Sequence, residues 1–132
     1  MKQRKGIAFR LDSVDASLIE STYKNSNSLA KKATRSWMHL RKATLTLLKG
    51  KFTENELLAL ISIAHSHTFN IDRACRKDIL IEDIKEDTAV PHRLVDAITT
   101  LSPAEIFFLQ DWMYNFWERG KEPVEEYIKV LL

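Results

Sequence analysis

The sequence predicts a mainly α-helical chain, and three observations carry that expectation. Glycine and proline are scarce, with 3 of each in 132 residues, so little turn chemistry is available for a fold rich in hairpins. Two segments, "FTENEL" and "LSPAEI", have capping-box spacing at the head of apolar-periodic runs. Apolar residues elsewhere recur mostly at three- and four-residue intervals, the period of a helix with one buried face. With 45% hydrophobic and 29% charged residues, the chain has enough apolar matter for one compact domain with a small appendage.

The one exception comes first. Residues 5–11, "KGIAFRL", place Ile7, Phe9 and Leu11 on one side and Gly6, Ala8 and Arg10 on the other. Period two over a short stretch predicts a half-buried strand. Asp12 or Ser13 then caps a helix carrying Val14, Leu18 and Thr22, and "NSNS" from Asn25 reads as a turn. Ser28 is expected to cap the next helix, which closes at Gly50. Leu29, Ala33, Trp37, Leu40, Thr44 and Leu47 mark its apolar side, with Ala33 and Trp37 expected in a core. Lys31, Lys32, Arg35, His39 and Lys42 gather on the opposite side.

In the capping boxes, Thr53 and Glu56, then Ser102 and Glu105, each satisfy backbone N–H groups that a helix start leaves orphaned. Pro103 suits the first helical position, and Gly120 suits the C′ position of the same helix. Between the boxes, helices are expected from about Asp72 to Glu86 and from about Pro91 to before Ser102. Pro123 opens a short last helix. The expected C-terminal half is thus a four- to five-helix bundle.

Net charge is only +2, but its distribution is lopsided. Residues 1–50 hold eleven Lys and Arg against three Asp and Glu; residues 51–132 hold nine against fifteen. No acidic residue lies between Glu20 and Glu54. Such asymmetry points to an anionic partner for the basic half, or to docking of one half on the other. Two regions follow: residues 1–48, basic, and residues 52–132, acidic, with "KGKF" at 49–52 as the boundary where the sign changes.

A strand, a helix, a turn and a second, serine-capped helix over residues 4–48 resemble the ribbon-helix-helix family of DNA-binding proteins. The segments that carry the resemblance are "GIAFRL", "SVDASLIESTYK", "NSNS" and "LAKKATRSWMHLRKA". The resemblance implies an obligate homodimer whose paired strands enter the major groove of double-stranded DNA. Gly6, Ala8 and Arg10 would face the bases, and the backbone at Ser28 and Leu29, helped by Lys31 and Lys32, would hold a phosphate. Arg4, Lys5 and Arg35 would add affinity that does not depend on sequence. The pattern departs from the family at the turn, where Asn27 stands in place of the usual Gly, and at the first helix, which lacks a leading proline.

Other constellations fall short of catalytic chemistry. His65 and His67 lie two apart, so on a helix they point away from each other and cannot share a metal. Asp78, Glu82 and Glu86, with Asp83 and Asp87 beside them, make a carboxylate face suited to solvent or to a protein partner. The single cysteine, Cys75, is expected to be buried and inert, and it excludes an internal disulfide. Neither a phosphate loop nor a catalytic triad is visible, so no enzyme, metal or cofactor is expected. "IFFLQDWMYNFW", residues 106–117, is apolar nearly all round and belongs in a core; Phe108, Trp112 and Phe116, with Trp37, are candidates for a partner or dimer surface. The longest unbroken apolar run, "LLALI", is far shorter than a membrane span. The expectation is a cytoplasmic, bacterial-type, dimeric DNA-binding protein, either a transcriptional regulator or an accessory factor on plasmid or phage DNA. A helical protein-interaction module without DNA binding is the alternative.

Overall fold

The computed structural model describes residues 13–22, 26–66, 74–86, 91–120 and 122–132. Among them are seven helices: α1 (Ser13–Thr22), α2 (Ser26–Leu48), α3 (Glu54–His65), α4 (Lys77–Glu86), α5 (His92–Thr99), α6 (Pro103–Arg119) and α7 (Val124–Ile128). No strand occurs among the described residues, and this overturns the ribbon-helix-helix-like fold class. The expected strand at residues 5–11 lies outside the described residues. The described part of residues 4–48 is two helices, and the second, at 23 residues, is the longest of the seven.

The chain divides into two units, residues 1–38 and 39–132, and the division falls inside α2. In the first unit, Val14 and Leu18 on α1 are exposed, so the spacing that marks them as an apolar pair does not bury them. Residues 31–38 of α2 are all exposed as well.

The second unit has the core. Leu45 and Leu48 from the last turns of α2 join Phe52, Leu57 and Leu60, then Leu80, Ile84, Leu94 and Ile98, and finally Ile106, Leu109 and Trp112. Helix α3 packs against α6, α7 and α4, and α4 packs against α5. Trp112 is about as buried as a residue can be, at 1% exposure, and Tyr127 stacks on it with ring centroids 5.1 Å apart. The Tyr127 hydroxyl donates to the carbonyl of Trp112, and burial pushes its pKa well above the ordinary tyrosine value, so it stays a protonated donor. Each fully buried Leu or Ile contributes roughly 1.5–3 kcal/mol of transfer free energy.

Local chemistry sets the helix ends. Thr53 Oγ1 accepts from the Glu56 N–H at 3.3 Å, while Glu56 Oε1 accepts from the Thr53 N–H at 2.9 Å. Ser102 and Glu105 repeat the arrangement at 3.2 and 3.0 Å, with Pro103 leading α6. Gly120 ends α6 at φ +60°, a left-handed conformation that costs a side chain roughly 1 kcal/mol or more. Gly50 has φ +83°, and its N–H donates to Leu131 O at 2.9 Å, which ties the end of α2 to the C-terminal turn.

Three local expectations need correction. Helix α2 begins at Ser26, so Ser28 is its third residue and not its cap. The face of α2 in the core is Thr44, Leu45 and Leu48 with half-buried Arg41, whereas Ala33, Trp37, Leu40 and Leu47 are exposed. The reason is that Arg41 finds a buried-side carboxylate, so a face containing a cation can dock. Cys75 is exposed, because its neighbour Ala74 takes the buried place at the turn before α4.

Two outcomes check this packing. Leu48→Ala should cost about 2–5 kcal/mol in urea unfolding, whereas Leu47→Ala, one residue away, should cost no more than about 0.5 kcal/mol. Glu105 is held below the ordinary glutamate pKa, first by the Ser102 backbone N–H and then by the Lys51 ammonium 3.1 Å away. A depressed carboxylate stabilises fully above its unfolded pKa and loses that effect as pH falls through the folded one. Glu105→Gln should therefore flatten part of the stability loss seen on acidification below the ordinary glutamate range.

Candidate nucleic-acid interface

Helix α2 carries five cations, Lys31, Lys32, Arg35, Arg41 and Lys42, and no Asp or Glu. At 3.6 residues per turn, Lys31, Lys32, Arg35, His39 and Lys42 fall within about 100° of arc. All five of these side chains are exposed. Arg41 lies outside that arc and is used differently. Its Nε donates to Asp111 Oδ2 at 3.0 Å, and the Asn115 amide donates to the same oxygen at 3.3 Å. One cation of the helix therefore anchors it to α6, and the others face outward.

The start of α2 changes what its lysines can do. With Ser26 as the first helical residue, Lys31 and Lys32 stand in the second turn. The unfavourable effect of the helix dipole on cations fades beyond the first turn, so the lysines do not need an anion at the helix end to explain them. What remains is a lateral feature. The basic stripe runs along the side of the helix for about 16 Å between Lys31 and Lys42, at 1.5 Å per residue.

Neighbouring acids do not quench that stripe from within each unit. Among the described residues of the first unit, Lys31, Lys32 and Arg35 meet no carboxylate, and Lys42 meets none in the second. Several cations elsewhere in the second unit do pair, while Lys49 and Lys85 meet no carboxylate among the described residues and Lys77 donates to Thr99 O. Lys51 joins Glu105, Arg93 joins buried Glu56 at 2.7 Å, Arg119 joins Glu122, and Lys129 joins Glu126. On the acidic helix α4, Asp78 is engaged by Arg76 at 2.7 Å, and that guanidinium holds the Asp78 carboxyl below the usual carboxylate range. Glu82 and Glu86 are exposed and Asp83 is half-buried.

The residues expected from sequence are distributed as follows. Ser28, Lys31, Lys32 and Arg35 are exposed on α2, and Leu29 is half-buried. Arg4, Lys5, Gly6, Ala8 and Arg10 lie outside the described residues. Of the aromatic candidates for a partner surface, Phe108 and Trp112 are buried in the second unit and Phe116 is half-buried, while Trp37 is 38% exposed. His65 lies against Trp117 at a centroid distance of 4.3 Å, and Trp117 Nε1 donates to Ile61 O at 2.7 Å; His67 is outside the described residues. Among the described residues no three His, Cys, Asp or Glu side chains cluster in a way that could hold a metal ion, and no helix is long and apolar enough to cross a membrane.

Sequence reasoning missed the anchoring roles of Arg41 and Arg93. Arg41 had a usable signal, since 41, 44, 45 and 48 form their own helical stripe. Arg93 had none, because its partner Glu56 is 37 residues away and is already accounted for by the capping box.

No family model, no curated protein and no solved structure matches the chain.

The two classes of cation should separate by experiment. Arg41→Gln should lower stability by about 1–3 kcal/mol in thermal unfolding, since it removes a charged hydrogen bond. Lys42→Gln, the exposed neighbour, should change stability by no more than about 0.5 kcal/mol.

Proposed function

We propose that the chain binds double-stranded DNA through the exposed basic face of α2. The observation that carries this reading is a 23-residue helix with no acid, whose outward cations lie along one side. A helix is about 10–12 Å across with its side chains, and the major groove of B-DNA is about 12 Å wide, so such a helix fits there. Duplex DNA presents one negative charge per roughly 1.7 Å of axis, so a 16 Å stripe lies beside many phosphates. Double-stranded RNA is less favoured, because its major groove is too deep and narrow for a helix to enter.

The contacts are mainly electrostatic. Lys31, Lys32, Arg35 and Lys42 would neutralise phosphates, with Ser28 as a neutral hydrogen-bonding neighbour. Within the second unit, Leu45, Leu48 and Arg41 would hold the last turns of the helix that carry Lys42. On this reading the protein acts in the cytoplasm on DNA, without catalysis or cofactor, as a regulator or an accessory factor. The exposed apolar residues Leu40 and Leu47 favour a second reading, a helical module that binds another protein.

Duplex binding titrated against salt tests the proposal. Affinity should fall steeply as salt rises, and the triple change Lys31→Gln, Lys32→Gln, Arg35→Gln should reduce the slope of log K against log salt by roughly 2–3. Absence of binding at low salt would reject DNA as the partner.

A further inference from the structure

Lys49 stands just past the last residue of α2, yet its N–H donates to Leu45 O at 3.0 Å, so it continues the helical turn. At about 100° per residue, His39, Lys42, Thr46 and Lys49 then fall within about 80° of arc. All four are exposed, and all four belong to the second unit. They lie away from Leu45 and Leu48, the residues that α2 gives to the core. Thr46 adds no charge, and its hydroxyl donates to Lys42 O at 2.8 Å.

This arc has no acid to answer it. Among the described residues, Lys42 and Lys49 meet no carboxylate, and His39 has no ionic partner. The carboxylate that does meet α2, Asp111 on α6, is held by Arg41 on the far side of the helix from His39. Within four residues of His39 along the chain the charged side chains are Arg35, Arg41 and Lys42, all cations. His39 therefore has no carboxylate beside it on α2 to pair with when it carries a proton. An anion laid along the arc supplies that partner.

We infer that His39, Lys42 and Lys49 form one DNA contact on the second unit, and that the duplex binds there with uptake of a proton at His39. The inference rests on the DNA reading and adds to it Lys49 and a dependence on pH. Imidazole is the side chain whose charge ordinarily changes between about pH 5 and 8. A phosphate beside it favours the charged form. Linkage makes the effect reciprocal: the factor that the duplex adds to proton binding is the factor that the proton adds to duplex binding. Lys42 and Lys49 supply the part of the contact that does not depend on pH in this range. They stand seven residues apart, about 10 Å along the helix, a span over which one DNA strand presents about three phosphates.

The test is duplex binding by the full chain at about pH 5.5 and about pH 8, each titrated against salt, with net proton uptake measured on mixing in weak buffer at about pH 7. Wild type should take up protons, bind at least about fivefold more tightly at the lower pH, and show there a slope of log K against log salt steeper by about 0.9. His39→Gln should abolish all three effects. His92→Gln, which changes an exposed histidine on α5, should keep them. His39→Lys, with a charge that persists, should bind at the higher pH about as tightly as wild type does at the lower. Lys49→Gln should make the slope shallower by about 0.9 at both pH values. A His39→Gln chain with the pH difference of wild type overturns the role of His39, and a Lys49→Gln chain with the slope of wild type removes Lys49 from the contact; the DNA reading survives either result. No duplex binding at either pH in low salt rejects the DNA reading and this inference with it.

Discussion

The rest of the structure depends on how the end of α2 is fastened. Leu45 and Leu48 are buried in the hydrophobic core of the second unit, and the Arg41 Nε donates to Asp111 Oδ2 on α6 at 3.0 Å. The Gly50 N–H then reaches Leu131 O, which closes the C-terminal turn over the same end. The pair is only partly buried, and breaking it leaves the Asp111 carboxylate without its cation at the edge of the core. Arg41 therefore determines which face of α2 can dock. Once positions 41, 44, 45 and 48 face inward, helical geometry leaves His39, Leu40, Lys42 and Leu47 of the same unit outside.

That constraint links fold to function. A helix with five cations and no acid is a poor helix to bury, and only its last turns are buried. The two capping boxes and the Trp112–Tyr127 stack make the second unit an ordered support.

Much of the second unit was legible in the sequence. Thr53, Glu56, Ser102, Pro103, Glu105 and Gly120 all act where local rules place them, because caps depend on neighbours in the chain and not on tertiary context. The apolar run of α6 likewise reads as a core helix, with Ile106, Phe108, Leu109, Trp112 and Met113 buried. The basic residues on α2 were legible as a group from periodicity alone. The buried face of α2 was not. Its longest apolar stripe contains Leu40 and Leu47, yet the core took the stripe with Arg41, since Asp111 is 70 residues away in sequence. The start of α2 was misplaced for a related reason: "NSNS" is good turn chemistry, and helix continuation through Ser26–Ser28 overrode it.

Isotope-labelled protein titrated with a short DNA duplex at low salt, followed residue by residue by NMR, tests the central claim most directly. Chemical-shift changes should concentrate on Lys31, Lys32, Arg35, His39 and Lys42, with the α4 and α6 amides largely unmoved. Changes centred on another surface, or none at a large excess of duplex, would contradict the account.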